Sequence, residues 1–161
     1  MCRGVESLPM YDRILVPTDG SPESERAVEE AIELATLTGG RIVALYVVDT
    51  RDYNTLPEAK WAMLQGELEG EGEDAVERVA ERAEAAGVEV ETAIERGVPH
   101  EAIIEFAESA DADAIVMATH GRSGVERFLM GSVTERVVRQ AAVPVLVVHV
   151  ADGVAERDAE E

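Results

Sequence analysis

Lysine is almost missing from these 161 residues: Lys60 is the only one among 14 basic side chains, set against 34 acidic ones and a net charge of −20. A Walker A phosphate loop needs Gly-Lys, and Lys60 follows Ala59, so that loop is excluded. The same imbalance argues against general nucleic-acid or anionic-membrane binding, since both depend on neutralising phosphates with cationic side chains. Cysteine is as scarce. The single Cys2 can form no internal disulfide, which makes a reducing interior the compartment to expect. The three histidines, His100, His120 and His149, are scattered and offer no metal-ligand spacing. No apolar run approaches the ~20 residues of a membrane span. Residues 1–10 lack the basic and apolar regions of a secretory signal, so a cytoplasmic location is the expectation.

Abundant carboxylates with so little lysine resemble the proteins of salt-adapted cytoplasm, where screening quiets the self-repulsion of a highly charged chain. A halophilic source is therefore expected. The length suits one domain able to bury about 70% of the surface its unfolded chain exposes. Residues 1–10 and 151–161 lack periodicity and read as flexible extensions, the second acidic, around a domain over residues 11–150.

Within that domain, strand and helix signals alternate. Asp12 to Pro17 reads as a first strand, and Ser21-Pro22 as an N-cap followed by proline at the first helical position. Ala27, Ala31, Leu34 and Ala35 form that helix's inner stripe, and Gly39-Gly40 ends it. Arg41 to Val48 is too continuously apolar for a one-faced sheet, which predicts a central strand covered on both sides. The connection from Asp49 to about Ala86 is expected to be helical only in its second half and weak around Gly66, Gly70 and Gly72, with Gly87 as its cap. Val88, Val90, Thr92 and Ile94 alternate with glutamates, as in an edge strand. Pro99 opens a short helix with Ile103, Ile104 and Ala107 inward and His100 on the surface; residues 114–118 and Val143 to Val150 supply the last two strands. Five strands joined by helical connections predict an α/β fold: an open parallel sheet with helices on both faces. Ligands of such sheets bind at the strands' carboxyl ends where the winding reverses. The first and fourth strands are expected to be neighbours there, bringing Pro17-Thr18-Asp19 beside the segment after residue 118.

That segment is the most informative in the chain. Thr119-His120-Gly121-Arg122-Ser123-Gly124 is followed, six residues on, by Gly131-Ser132-Val133-Thr134-Glu135. Glycines, hydroxyls, the loop arginines Arg122 and Arg127, and a helix N-terminus converge, which is what a polyphosphate needs. Ser132 and Glu135 match a capping box, and Val133, Val137 and Ala141 the inner stripe of the helix behind it. Arg136 and Arg139 lie further along, where surface ion pairs are expected. His120 reads as ordering its loop, so no catalytic residue is assigned. The superficial dinucleotide fingerprint Gly70-Glu71-Gly72 follows no strand and carries repelling carboxylates; it is rejected.

From Met10 to Val150 the chain resembles the universal stress proteins of the small, single-domain kind. The resemblance rests on Ile14-Leu15-Val16-Pro17-Thr18-Asp19-Gly20-Ser21, Val47-Val48-Asp49, Gly97-Val98-Pro99 and the segment from Met117 to Val148. Nucleotide-binding members carry Gly, two residues, Gly, nine residues, then Gly with Ser or Thr. Gly121, Gly131 and Ser132 match, while Ala118 departs by one methyl at the first position. The resemblance implies a Rossmann-like sheet of the adenine nucleotide alpha hydrolase type, in strand order 3-2-1-4-5. It also implies that Asp19 approaches ribose or base, that Pro17, Thr18 and Val47 wall an adenine pocket, and that Met117 and Ala118 floor it. Gly121, Arg122, Gly131, Ser132, Val133 and Thr134 would gather the phosphates of ATP or another adenine nucleotide, with Mg²⁺ accompanying it and no dedicated metal-binding residues. A homodimer through the strand Val143 to Val150 is implied as well. The function implied is a cytoplasmic ATP-binding switch or sensor in stress response. A slow Mg-dependent ATP hydrolase and a dimeric interaction protein whose pocket Ala118 has closed are the alternatives.

Overall fold

The computed structural model describes residues 11–51, 56–119 and 131–150. In chain order they form β1 (Arg13–Pro17), α1 (Pro22–Thr38), β2 (Arg41–Asp49), α2 (Glu58–Ala85), β3 (Val90–Gly97), α3 (Pro99–Ser109), β4 (Ala114–Ala118), α4 (Ser132–Gln140) and β5 (Val145–Val148). The strands make one sheet in the order β3-β2-β1-β4-β5, and every pairing is parallel. The expected extensions at either end of the chain, and their flexibility, lie outside the described residues.

Continuous apolar runs become two cores because successive strand residues point to opposite faces. Ile14, Val16, Ile42, Ala44, Tyr46 and Val48 face Ala27, Ala31 and Ala35 of α1 and Ala75, Val76, Val79 and Ala83 of α2. Leu15, Val43, Leu45, Ile115 and Met117 face the other way, onto Ile103 and Ala107 of α3 and Val137 of α4. β3 is an edge strand with no fully buried residue, as its glutamates require. β1 and β4 are adjacent, Leu15 pairing with Ile115. Their amino ends are latched where the Arg13 N–H donates to Asp113 Oδ2 at 2.9 Å and the Asp113 N–H to the Arg13 carbonyl at 2.8 Å.

Local signals hold at several element ends. The Ser21 hydroxyl accepts the Ser24 N–H at 3.1 Å, so α1 begins at its expected cap. Gly39, at φ 77°, closes α1. At the far end of α2, Gly87 takes φ 78°, its N–H donates to the Glu84 carbonyl at 2.9 Å and that of Val88 to Ala83 at 2.9 Å. These two bonds form the Schellman arrangement.

Three expectations are corrected. Helix α2 runs unbroken through Gly66, Gly70 and Gly72 for 28 residues instead of occupying only the second half of its connection. Gly72 is buried against the Tyr46 ring, where a larger residue would not fit, while Ala75, Val76, Val79 and Ala83 hold the helix to the sheet. His100 is not a surface residue: it is 7% exposed, because His100, Ile103 and Ala107 together make the buried stripe of α3. The last strand is shorter than Val143 to Val150, with pairing confined to residues 145–148. Among the described residues no helix is long and apolar enough to cross a membrane.

Candidate functional site

The winding reverses between β1 and β4, so the carboxyl ends of these two strands are where a ligand crevice is expected. Its first wall is the turn Thr18-Asp19-Gly20-Ser21. The Thr18 N–H extends the sheet by donating to the Leu45 carbonyl at 2.8 Å. The buried Thr18 hydroxyl accepts the Gly20 N–H at 3.1 Å and lies 3.0 Å from the Ser24 hydroxyl, which itself donates to the Ser21 carbonyl at 2.9 Å. Asp19 Oδ1 accepts the Ser21 N–H at 2.9 Å, which sets the direction of the carboxylate.

Thr119, Gly131 and the start of α4 form the second wall. Thr119 donates its N–H to the Val148 carbonyl at 2.9 Å, and its hydroxyl accepts the Val150 N–H at 3.1 Å. Its carbonyl accepts the Gly131 N–H at 2.7 Å. The chain on either side of residues 120–130 is thereby drawn together over the end of β4. The buried Thr134 hydroxyl donates to the Ala118 carbonyl at 2.9 Å and locks α4 to the same strand end.

The capping box expected at Ser132 and Glu135 is not formed. Gly131 is the N-cap, in extended conformation at φ −61° and ψ 153°, and no side chain caps the helix. Its carbonyl takes the Glu135 N–H at 2.9 Å, so the helix begins one residue earlier than a box would allow and Ser132 is its exposed first residue. The N–H groups of Ser132, Val133 and Thr134 then precede the first i→i−4 bond and have no intrahelical acceptor. They gather at the positive end of the helix dipole. Of the hydroxyls expected to meet phosphate, that of Thr134 is committed to the sheet, while Ser132 is exposed.

Pro17 and Val47 are half-buried at the ends of β1 and β2, and Met117 and Ala118 are buried at the end of β4, beneath the crevice. Gly121 and Arg122 lie outside the described residues, as do His120 and Arg127. Arg139 makes the expected surface pair, 3.3 Å from Glu135. Among the described residues no three His, Cys, Asp or Glu side chains converge as metal ligands.

Further groups shape the rim without having been anticipated. Asp49, ending β2, accepts from Arg51 Nε at 3.0 Å and from Nη2 at 2.6 Å. These bonds hold its carboxyl below the ordinary carboxylate range, against the opposing effect of partial burial. Arg78 of α2 donates to the Gly20 carbonyl at 3.2 Å. The sequence does carry a signal for this: Arg78 and Arg82 repeat at the spacing of Glu25 and Glu29, as facing helices of opposite charge would.

Residues 10–149 match the sequence profile of the universal stress protein family. The chain belongs to that family. A universal stress protein of Methanocaldococcus jannaschii is 44% identical over 140 residues, covering 86% of this chain and 82% of its own. A second one from that organism is 32% identical over 154 residues, covering 86% and 95% of the two chains. The solved structure of this second protein superposes with a TM-score of 0.81 at 34% identity, over 89% of this chain and 99% of its own. A universal stress protein in complex with cAMP superposes with a TM-score of 0.67 at 26% identity, over 88% and 99% of the two chains. The universal stress fold accounts for the strand order and for the adjacency of β1 and β4.

Proposed function

We propose that this universal stress protein is an adenine-nucleotide-binding switch or sensor, with the base or ribose at Asp19, Pro17, Thr18 and Val47 and the phosphates on the amides that open α4. The observation that carries the reading is Gly131. Its φ and ψ suit any residue, so the backbone does not demand glycine there; what a missing side chain provides is close approach, beside amides that lack helical partners. The cAMP complex of a structural relative supports an adenine ligand. ATP with Mg²⁺ is the proposed form, the metal carried by the phosphates with Asp19 nearby, since Mg²⁺ commonly pairs few carboxylates with substrate oxygens. Gly121 and Arg122 complete the phosphate site in this reading.

The proposal places the protein in a cytoplasm, salt-adapted in keeping with the charge of −20, as a homodimer. Leu146 in β5 is 45% exposed and Val138 in α4 is 40% exposed, which leaves apolar surface along the sheet edge that a second copy would cover.

Calorimetric titration of the full chain with ATP, AMP and cAMP tests the site. Wild type binds an adenine nucleotide, and Gly131→Val abolishes binding while its circular dichroism shows the fold retained, with a small loss of stability from the poorer N-cap. Equal affinity in the variant refutes the phosphate assignment.

A further inference from the structure

A belt of charge joins α1 to α2. Arg82 Nη1 donates to Glu25 Oε1 at 3.1 Å and Nη2 to Glu29 Oε2 at 2.9 Å. Arg78, one turn earlier on α2, has Nε 3.6 Å from Glu25 Oε2. Its Nη2 donates to the Gly20 carbonyl at 3.2 Å, and this bond differs from the others because it ends on the backbone of the turn that carries Asp19. Gly20 sits at φ 80°, a conformation that a side chain would resist and that leaves the turn reliant on its hydrogen bonds.

Other bonds of the turn come from within it, from the start of α1 or from β2: Gly20 N–H to Thr18, Ser21 N–H to Asp19, Ser24 N–H to Ser21, and Thr18 N–H to the Leu45 carbonyl. Arg78 holds it from a different helix. Glu25 accompanies the guanidinium, whose planar fork can serve the carboxylate and the carbonyl together. We propose that Arg78 is a positioning residue for the nucleotide site: by holding the Gly20 carbonyl from α2, it fixes the angle at which Asp19 is presented to the ligand. This rests on the nucleotide reading given above. The side chains of the belt are 38% to 48% exposed, so its weight in global stability is small. Its effect is felt at the turn.

The test uses the full chain as wild type, Arg78→Gln and Arg78→Lys, with Arg26→Gln as a charge control, since Arg26 pairs with Glu29 at 3.4 Å without touching the turn. Hydrogen exchange without nucleotide reads the Gly20 and Ser21 amides, which exchange roughly three- to tenfold faster in Arg78→Gln while core-strand amides do not change. Titration with ATP reads a loss of affinity of about three- to tenfold in Arg78→Gln, partial recovery in Arg78→Lys and none of this loss in Arg26→Gln. In an Asp19→Asn background, Arg78→Gln has no further effect, because it acts through Asp19. Unchanged exchange at Gly20 and Ser21, wild-type affinity in Arg78→Gln, the same loss without Asp19, or an equal loss in Arg26→Gln each overturns the positioning role. Wild type that binds no adenine nucleotide overturns the functional reading instead, and the exchange comparison still decides whether Arg78 holds the turn.

Discussion

Helix α2 contains three glycines whose replacement by alanine acts in opposite directions. At Gly66 and Gly70 an added Cβ meets nothing within 4 Å. Each Gly→Ala change therefore keeps the full helix-propensity gain of about 0.5–1 kcal/mol. At Gly72 the same atom falls 2.5 Å from Tyr46 Cδ1, 2.9 Å from Cγ and 3.0 Å from Cε1. Comfortable carbon contacts begin near 3.5 Å. Tyr46 is 6% exposed in the middle of β2 and cannot swing away without moving the core. Overpacking of this kind costs about 1–3 kcal/mol, which exceeds the propensity gain. Gly72→Ala is thus expected to destabilise by about 1 kcal/mol net, lowering Tm by about 2–4 °C in a chain of this size. Urea unfolding followed by circular dichroism, at one salt and protein concentration, measures all three variants. Replacing Tyr46 with alanine removes all three of these atoms and should turn Gly72→Ala stabilising in that background. If Gly72→Ala stabilises as much as Gly66→Ala in the wild-type background, the close approach of α2 to Tyr46 is wrong.

Thr134→Val preserves side-chain shape but deletes the bond to the Ala118 carbonyl, leaving that buried acceptor without the hydroxyl; a loss of about 1–2 kcal/mol is expected from chemical denaturation, with weaker nucleotide binding as the start of α4 loosens. Asp49 gives a pH-dependent effect. Arg51 depresses its folded-state pKa, so the pair's contribution is complete above the unfolded carboxyl value of about 3.9 and is lost as pH falls through the lower folded value. Asp49→Asn should therefore cost under about 1 kcal/mol at neutral pH, the pair being partly exposed. The difference from wild type should vanish in strong acid; a difference independent of pH in acid titrations would contradict this.

The fold was legible because its signals are strong and redundant. The unbroken apolar run of β2, the alternation of β3 and the Ser21-Pro22 start of α1 each name one environment, and together they leave few topologies. The β1/β4 crevice followed from that order. What escaped was decided by contacts distant in sequence. Nothing local shows that Gly72 faces Tyr46, so its glycine reads as a weakness in the helix when it is a fit to the sheet. Ser132 and Glu135 carry a box pattern, but Thr119 draws in Gly131 and shifts the helix start by one residue. His100 shares its spacing with Ile103 and Ala107, and that pattern outweighs its polarity. Arg78 shares a four-residue spacing with Glu25 and Glu29, but only α2 laid beside α1 shows that it reaches the Gly20 carbonyl.

Five of the helix positions that rest on the sheet's first face are alanines: Ala27, Ala31 and Ala35 in α1, Ala75 and Ala83 in α2. A methyl has no rotamer to change, so an enlarged neighbour can be accommodated only by lifting a whole helix off the strands. Because α1 is capped by Ser21, two residues after Asp19, lifting it also tilts the turn that carries Asp19. Layer thickness and the geometry of the proposed site are in this sense one mechanical quantity, and sequence drift in the interior of α1 is constrained by the edge of that site as well as by the core.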